Sequence, residues 1–318
     1  MKSPPRSSLS KSLPILPLLL LSALLPSCSR DPTRASFIRG ATVIGGPGRG
    51  EGYFHQPRAV EALPDRSVVV VDRSGRIQRF AADGDVLCSW LLPEWSQGQP
   101  IDLVRTPWDT LLVADTHYRR ILEYALDGEE VGRIGEEQGL EVVRGIAVGK
   151  DDVIYLADYG AEDRIHRFGR DGRYLGAIGS RGDGPGQFLR PEGITVGEGG
   201  DIFVADCGHH RIIRFTPEGE LVLTFGRFGS APGEFRYPFD IARGSADTLY
   251  VVDFQGNRVQ RFTPDGGLLG VAGGPGREPG RFATPRGVAV LPEEEGDLVF
   301  VADTNNHRVQ RFRWKYDR

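Results

Sequence analysis

The sequence predicts an all-β fold: a six-bladed β-propeller, four antiparallel strands per blade, closed by an N-terminal strand that completes the last blade. Three observations lead there. A unit of 43 to 50 residues recurs six times, the period expected of propeller blades. Asp-Gly or Glu-Gly pairs separate short apolar runs in five of the six units, and such pairs signal tight hairpins. Glycine supplies 43 of 318 residues and methionine one, which favours turns and strands over helices. Together they exclude a helical bundle, a long coiled coil and a polytopic membrane protein.

The first 27 residues read as an export signal. Lys2, Arg6 and Lys11 form a basic start, and an apolar stretch covers residues 13–25. That is shorter than the roughly 20 residues a spanning helix needs. The stretch ends in Leu25-Pro26-Ser27-Cys28, which resembles a bacterial lipobox. The resemblance implies a mature chain beginning at a lipid-modified Cys28, although Pro26 departs from the usual pattern. Ser29 follows the Cys, where an Asp would favour inner-membrane retention. The expectation is therefore an exported lipoprotein, at the outer membrane or cell surface rather than the inner membrane, with residues 28–35 as its tether. Without the leader, 36 basic residues face 43 acidic ones, a net of −7. Such a body has no bulk attraction for phosphate backbones, so nucleic acid is not an expected partner.

The propeller is expected over residues 36–312, with a short tail at 313–318. Blades are drawn at about 51–91, 92–135, 136–179, 180–226, 227–273 and 274–312, the last completed by residues 36–45. Each unit has an Asp closing an apolar run: Asp72, Asp115, Asp158, Asp206, Asp253 and Asp303. An Arg follows at Arg76, Arg120, Arg164, Arg211, Arg258 and Arg308, at offsets of 4, 5, 6, 5, 5 and 5. An aromatic then closes the segment, from Phe80 to Phe312. We label the strands a (from the Pro-x-Gly segment), b (before the Asp), c (around the Arg) and d (after the turn). The sixth unit ends after c, whereas residues 36–44 form an unassigned strand-like segment. Using it as the missing d strand closes the ring and removes open sheet edges.

This pattern resembles NHL repeats, most strongly in units four to six. It is weaker in unit two, and unit three lacks both the Pro and the Gly-rich approach loop. The resemblance implies a six-bladed propeller, often used as a platform for protein interactions.

Several conspicuous residues read as structure. The Gly-rich stretches at 182–186 and 274–276 lead into strands rather than helices, so they read as blade connections, not phosphate loops. Arg181-Gly182-Asp183 reads as a chance match to an adhesion tripeptide. The repeated Asp and Arg read as framework, because a side chain present in every blade cannot define one asymmetric site. His117, His209, His210 and His307 fall in or beside b–c turns and read as solvent-facing. Cys88 and Cys207 fall in opposite blades, too far apart to bridge, and are expected as free thiols.

The candidate site is the channel mouth. The positions after the strand-a Pro, or its equivalent, are Arg58, Ile101, Arg144, Glu192, Phe239 and Arg286, with Asp102 and Asp240 one residue later. They differ from blade to blade. Arg58, Arg144, Glu192, Asp240 and Arg286 are the candidate ligand-binding set; the competing reading is a solvated, self-neutralising rim. Clustered Arg suits carboxylate or phosphate.

Two functions are weighed. One is a non-enzymatic scaffold that binds a protein or small ligand at the cell envelope and is held to the membrane by its lipid. The other is a metal-dependent propeller enzyme, similar to peptidylamidoglycolate lyase, virginiamycin-type lyases or lactonases. The lyase's His ligands follow strand-a prolines, and none of the six matching positions here is His. The binding role is favoured, with no catalytic residue and no cofactor expected. Zinc or calcium belongs only to the enzyme alternative.

Overall fold

The computed structural model describes residues 1, 3, 40–94 and 100–315. Most of the expected leader, Cys28 and the expected tether lie outside the described residues, as do residues 36–39 of the closing segment. Among the described residues, twenty-four strands form six four-stranded antiparallel sheets. A short strand β1 (Thr42–Ile44) comes first. Blade one is β2 (Pro57–Ala62), β3 (Val68–Asp72), β4 (Arg76–Phe80) and β5 (Val86–Leu91). Blade two is β6 (Pro100–Arg105), β7 (Thr110–Asp115), β8 (Arg120–Ala125) and β9 (Glu130–Ile134). Blade three is β10 (Val142–Val148), β11 (Ile154–Tyr159), β12 (Arg164–Phe168) and β13 (Tyr174–Ile178). Blade four is β14 (Pro191–Val196), β15 (Ile202–Asp206), β16 (Arg211–Phe215) and β17 (Leu221–Phe225). Blade five is β18 (Pro238–Arg243), β19 (Leu249–Asp253), β20 (Arg258–Phe262) and β21 (Leu268–Gly273). Blade six is β22 (Gly287–Leu291), β23 (Asp297–Asp303) and β24 (Arg308–Trp314), completed by β1.

The closing strand pairs as expected, with Thr42 opposite Arg311 and Ile44 opposite Val309. β24 runs two residues beyond the expected end at Phe312, because Asp297 and Leu298 extend β23 and pair with Trp314 and Arg313. In the described turns between strands c and d, Gly84, Gly128, Gly172, Gly219 and Gly266 all have positive φ, between 79° and 100°. That conformation strains other residues and explains the recurring glycine.

Each blade buries both faces against its neighbours, so strand b is a continuous apolar run rather than an alternating one. Val68 and Val70 pack with Phe300 and Val309 of blade six, while Val69 and Val71 pack with Leu111 and Val113 of blade two. The approach loops add a recurring plug. Phe54, Phe188, Phe235 and Phe282 are each 0% exposed. Each ring lies where a side chain on Gly45, Gly179, Gly226 or Gly273 would stand, within 2.3–2.5 Å of the ideal Cβ. The Gly-rich loops thus seat a ring between blades, in line with their reading as connections.

The repeated Asp is framework, and it does more than hold the b–c turn. Its carboxylate accepts backbone N–H groups from the approach to strand a of its own blade: His55 to Asp72 (2.7 Å), Leu189 to Asp206 (2.8 Å) and Ala283 to Asp303 (2.7 Å). The Arg offset decides what else it holds. Where the offset is five, the guanidinium meets the Asp, at 3.2 Å for Arg120–Asp115 and 2.8–2.9 Å for Arg211–Asp206, Arg258–Asp253 and Arg308–Asp303. At offset four, Arg76 donates to Ser89 instead, and Asp72 takes the hydroxyl of Ser74. At offset six, Asp158 faces His166 at 3.4 Å.

Candidate functional site

The six strands a begin around the propeller axis and form its inner ring. Arg58, Ile101, Glu192, Phe239 and Arg286 line one opening there, joined one position later by Asp102 and Asp240. The opening is narrow, its water-accessible volume about 20 Å3. Arg144 stands at its edge, where the next residue, Gly145, lines it. The structure thus brings all five candidate residues to one place.

Their geometry is asymmetric. Glu192 is only 2% exposed. Arg144 Nε lies 3.5 Å from Glu192 Oε2, and Arg190 Nη2 lies 3.6 Å from Oε1. Both contacts are ion pairs stretched beyond good hydrogen bonds. Glu192 Oε1 and Arg144 Nε are buried with no hydrogen-bond partner. Arg144 donates through Nη2 to the Tyr159 hydroxyl. Its guanidinium stacks 4.6 Å from the centre of that ring, and Arg190 stands 5.3 Å from it. Arg286 stacks on Phe239 and Phe254, at 4.8 and 5.0 Å.

The charge balance is strongly positive. Burial pushes the Arg58 guanidinium down to about 10, helped by repulsion from Arg286, Arg73 and Arg144. Burial also lowers Arg286, against the pull of Glu192. Desolvation raises the Glu192 carboxyl, while Arg144, Arg190, Arg286 and Arg58 hold it down. Four guanidinium groups, those of Arg58, Arg144, Arg190 and Arg286, therefore act on the one buried Glu192 carboxyl.

Two carboxyl groups line the same opening. Asp102 and Asp240, in blades two and five, tie neighbouring inner strands together. Asp102 accepts from Leu103 and Ile146 N–H, both at 2.9 Å; Asp240 accepts from Ile241 and Val288 N–H, both at 2.8 Å. Each therefore staples blades as well as facing the channel. Gly145 and Gly193 permit the close approach, since ideal Cβ atoms would stand 2.3 Å from Glu192 O and 2.6 Å from Asp240 Cα. Burial pushes Asp240 up to about 6 and Asp102 well above the usual carboxylate range, Asp102 also repelled by Asp240. Beyond this level a second space is bordered by Glu61, Thr195 and Arg243. Burial pushes the Glu61 carboxyl up to about 8, although it accepts the Arg105 N–H.

The NHL repeat profile matches residues 188–215 and 282–312. These two stretches match the NHL repeat. The two matched stretches run from the plugging Phe188 and Phe282 through strands a, b and c of blades four and six, including the Asp–Arg pairs. No curated protein matches the sequence. Among solved structures, a streptogramin B lyase is 17% identical with a TM-score of 0.61, over 87% of this chain and 88% of its own. A protein of unknown function from Bacteroides thetaiotaomicron is 14% identical with a TM-score of 0.67, over 86% and 75%. A putative gluconolactonase is 15% identical with a TM-score of 0.64, over 87% and 93%. At these identities the likeness shows the fold alone.

Sequence reasoning missed four residues beside the mouth. Arg73, Tyr159 and Phe254 each follow a framework Asp, and Arg190 precedes the strand-a Pro of blade four. The signal was present: the position after the Asp reads Arg, Thr, Tyr, Cys, Phe and Thr around the ring. Even there some residues are structural, because Thr116 and Thr304 donate to the inner-strand carbonyls of Val143 and Pro57. The b–c turn histidines stay in local networks. His209 bridges Asp206 and Asp183 at 2.7 and 3.0 Å, and His307 Nδ1 accepts the Gln56 N–H. Among the described residues, no three His, Cys, Asp or Glu groups are arranged to hold a metal ion. Cys88 and Cys207 are free thiols.

Proposed function

We propose that this propeller is a binding protein that takes the carboxylate or phosphate group of a small ligand at the channel mouth. The observation that carries the reading is the surplus of guanidinium charge around Glu192, with Arg58 and Arg286 held below their ordinary range by burial. An anion there relieves repulsion that the fold otherwise sustains, and Arg suits paired hydrogen bonds to such groups. The test is calorimetric titration of the purified chain with inorganic phosphate, citrate and 3-phenylpropionate, repeated with Arg58→Ala and Arg286→Ala. Each change is expected to weaken binding about tenfold or more, the loss of one charged hydrogen bond. The melting temperature should hold or rise, because each change relieves the remaining cations. Arg144 is a poorer choice of variant: its side chain is 13% exposed and faces a buried carboxylate. Removing it leaves Glu192 less compensated and costs stability. Absence of anion binding in the unaltered chain overturns the reading.

We further propose that the protein is exported and anchored to the outer membrane or cell surface through a lipid on Cys28, which presents the mouth to the envelope. The basic start, the apolar stretch and the lipobox-like Leu25-Pro26-Ser27-Cys28 support this. Cys28→Ala is expected to move the protein from the membrane fraction to the soluble exported fraction. Unchanged partitioning by fractionation and immunoblot refutes the anchor.

A further inference from the structure

We propose that the inner ring of the propeller is a pH-responsive element: Glu61, Asp102 and Asp240 hold neighbouring strands a together while they carry protons, and weaken the ring when they ionise. The inference goes beyond the anion-binding reading and does not depend on it.

Each of the three joins two blades. Glu61 in blade one accepts the Arg105 N–H of blade two at 3.2 Å. Asp102 in blade two accepts the Ile146 N–H of blade three at 2.9 Å, and Asp240 in blade five accepts the Val288 N–H of blade six at 2.8 Å. All three border one space of about 200 Å3, to which every blade contributes its strand a. About 10–15 Å3 is enough to admit one water, so protons can reach them.

The cations of the same strands are engaged elsewhere. Arg105 pairs with Asp109, and Arg243 with Glu198 and Asp247 at 3.3 and 3.2 Å. Arg58, Arg144 and Arg286 stand at the mouth and act on Glu192, the remaining charged group of the inner strands. Behind them, strands b carry the framework Asp residues, Asp297 and the phenols of Tyr155, Tyr159 and Tyr250. Withdrawal from bulk water raises all three carboxyls and outweighs the backbone donors that favour ionisation. Repulsion adds to it: Asp240 raises Glu61 and Asp102, and Glu192 raises Asp240. Arg105 attracts Glu61 without reversing the shift.

The sign follows from where the protons sit. Unfolded carboxyls titrate near pH 4, whereas in the folded chain Asp240 titrates at about 6 and Glu61 at about 8. The folded chain thus keeps protons that the unfolded chain has lost. These groups leave the ring most stable at low pH and cost it stability as pH rises from about 4 toward 8.

The test is thermal unfolding of the full chain and of Glu61→Gln between pH 5.5 and 8.5. The Arg105 contact uses Oε1, so the amide oxygen can keep it while the charge is lost. Glu61→Gln is expected to gain on the unaltered chain as pH rises, by several degrees across that range. A gap that stays constant or narrows overturns the inference, whatever its sign. Urea unfolding of the unaltered chain gives a second reading. Its midpoint is expected to fall between pH 7 and 8, where few other groups titrate. A flat or rising midpoint overturns the inference even if Glu61→Gln folds poorly.

Discussion

Removing residues 36–44 abolishes cooperative folding at temperatures where the full chain is folded. Only β1 completes the sixth sheet, and its partner is strand c of that blade. Ile44 is 5% exposed and packs with Phe54 of blade one and with Phe300 and Val309 of blade six. The deletion therefore uncovers β24, takes a side chain from the core and breaks contact between the first and last blades. Emptying the Ile44 position alone should cost about 2–5 kcal/mol. The deletion adds the lost ladder and an exposed edge that invites aggregation. Thermal and urea unfolding of the deletion and of Ile44→Ala should place both below the full chain, the deletion far lower. A deletion that melts within a few degrees of the full chain would show that the ring holds without its closing strand.

Asp303→Ala and Asp115→Ala should separate widely, although the two residues occupy equivalent places. Asp303 is 0% exposed and holds the Ala283 N–H, Arg308, Asn306 and Gln310, all at 2.7–2.9 Å. Removing its carboxylate strands a buried guanidinium, and losses of about 3–5 kcal/mol follow from such breaks. In a domain of this size that is roughly 10 °C in melting temperature. Asp115 meets Arg120 at 3.2 Å, and its Oδ1 is buried with no hydrogen-bond partner. Arg120 also reaches Glu94 at 3.0 Å and Glu136 at 3.6 Å, so it keeps anionic company without Asp115. Burial holds the Asp115 carboxyl above its usual range, and charging it in the folded state is already costly. Its removal should therefore cost less than half as much. Equal losses in parallel melts would show that the hydrogen-bond count around the framework Asp does not set its contribution.

The fold was legible because each repeat states its strands in the same order. The Asp-Gly turns, the continuous b runs and the missing sixth d strand each depend on local chemistry, and local chemistry is written in adjacent residues. The convergence of Arg58, Glu192, Asp240 and Arg286 was legible for a related reason: a ring brings equivalent positions of every repeat to one axis. What escaped was contact between unlike positions. Tyr159 reaches Arg144 across the blade, and Arg190 stands 3.6 Å from Glu192. Neither follows from the register of the repeat. The double role of Asp240 escaped as well, because only three-dimensional packing shows its carboxylate accepting Val288 of the next blade.

The pairing of β1 with β24 also governs the order of assembly. Thr42 and Arg311 are 269 positions apart, so the first strand made waits for the last before it has a partner. Blades one to five draw their strands from consecutive sequence and can form as the chain lengthens. The sixth cannot. Contacts this distant in sequence are slow to form, since the loop entropy is lost before the contact rewards it. Until the C-terminal strand is available, an open arc of blades carries two exposed ends and an unpaired β1. If the chain is exported unfolded, as proposed above, that interval lasts as long as translocation.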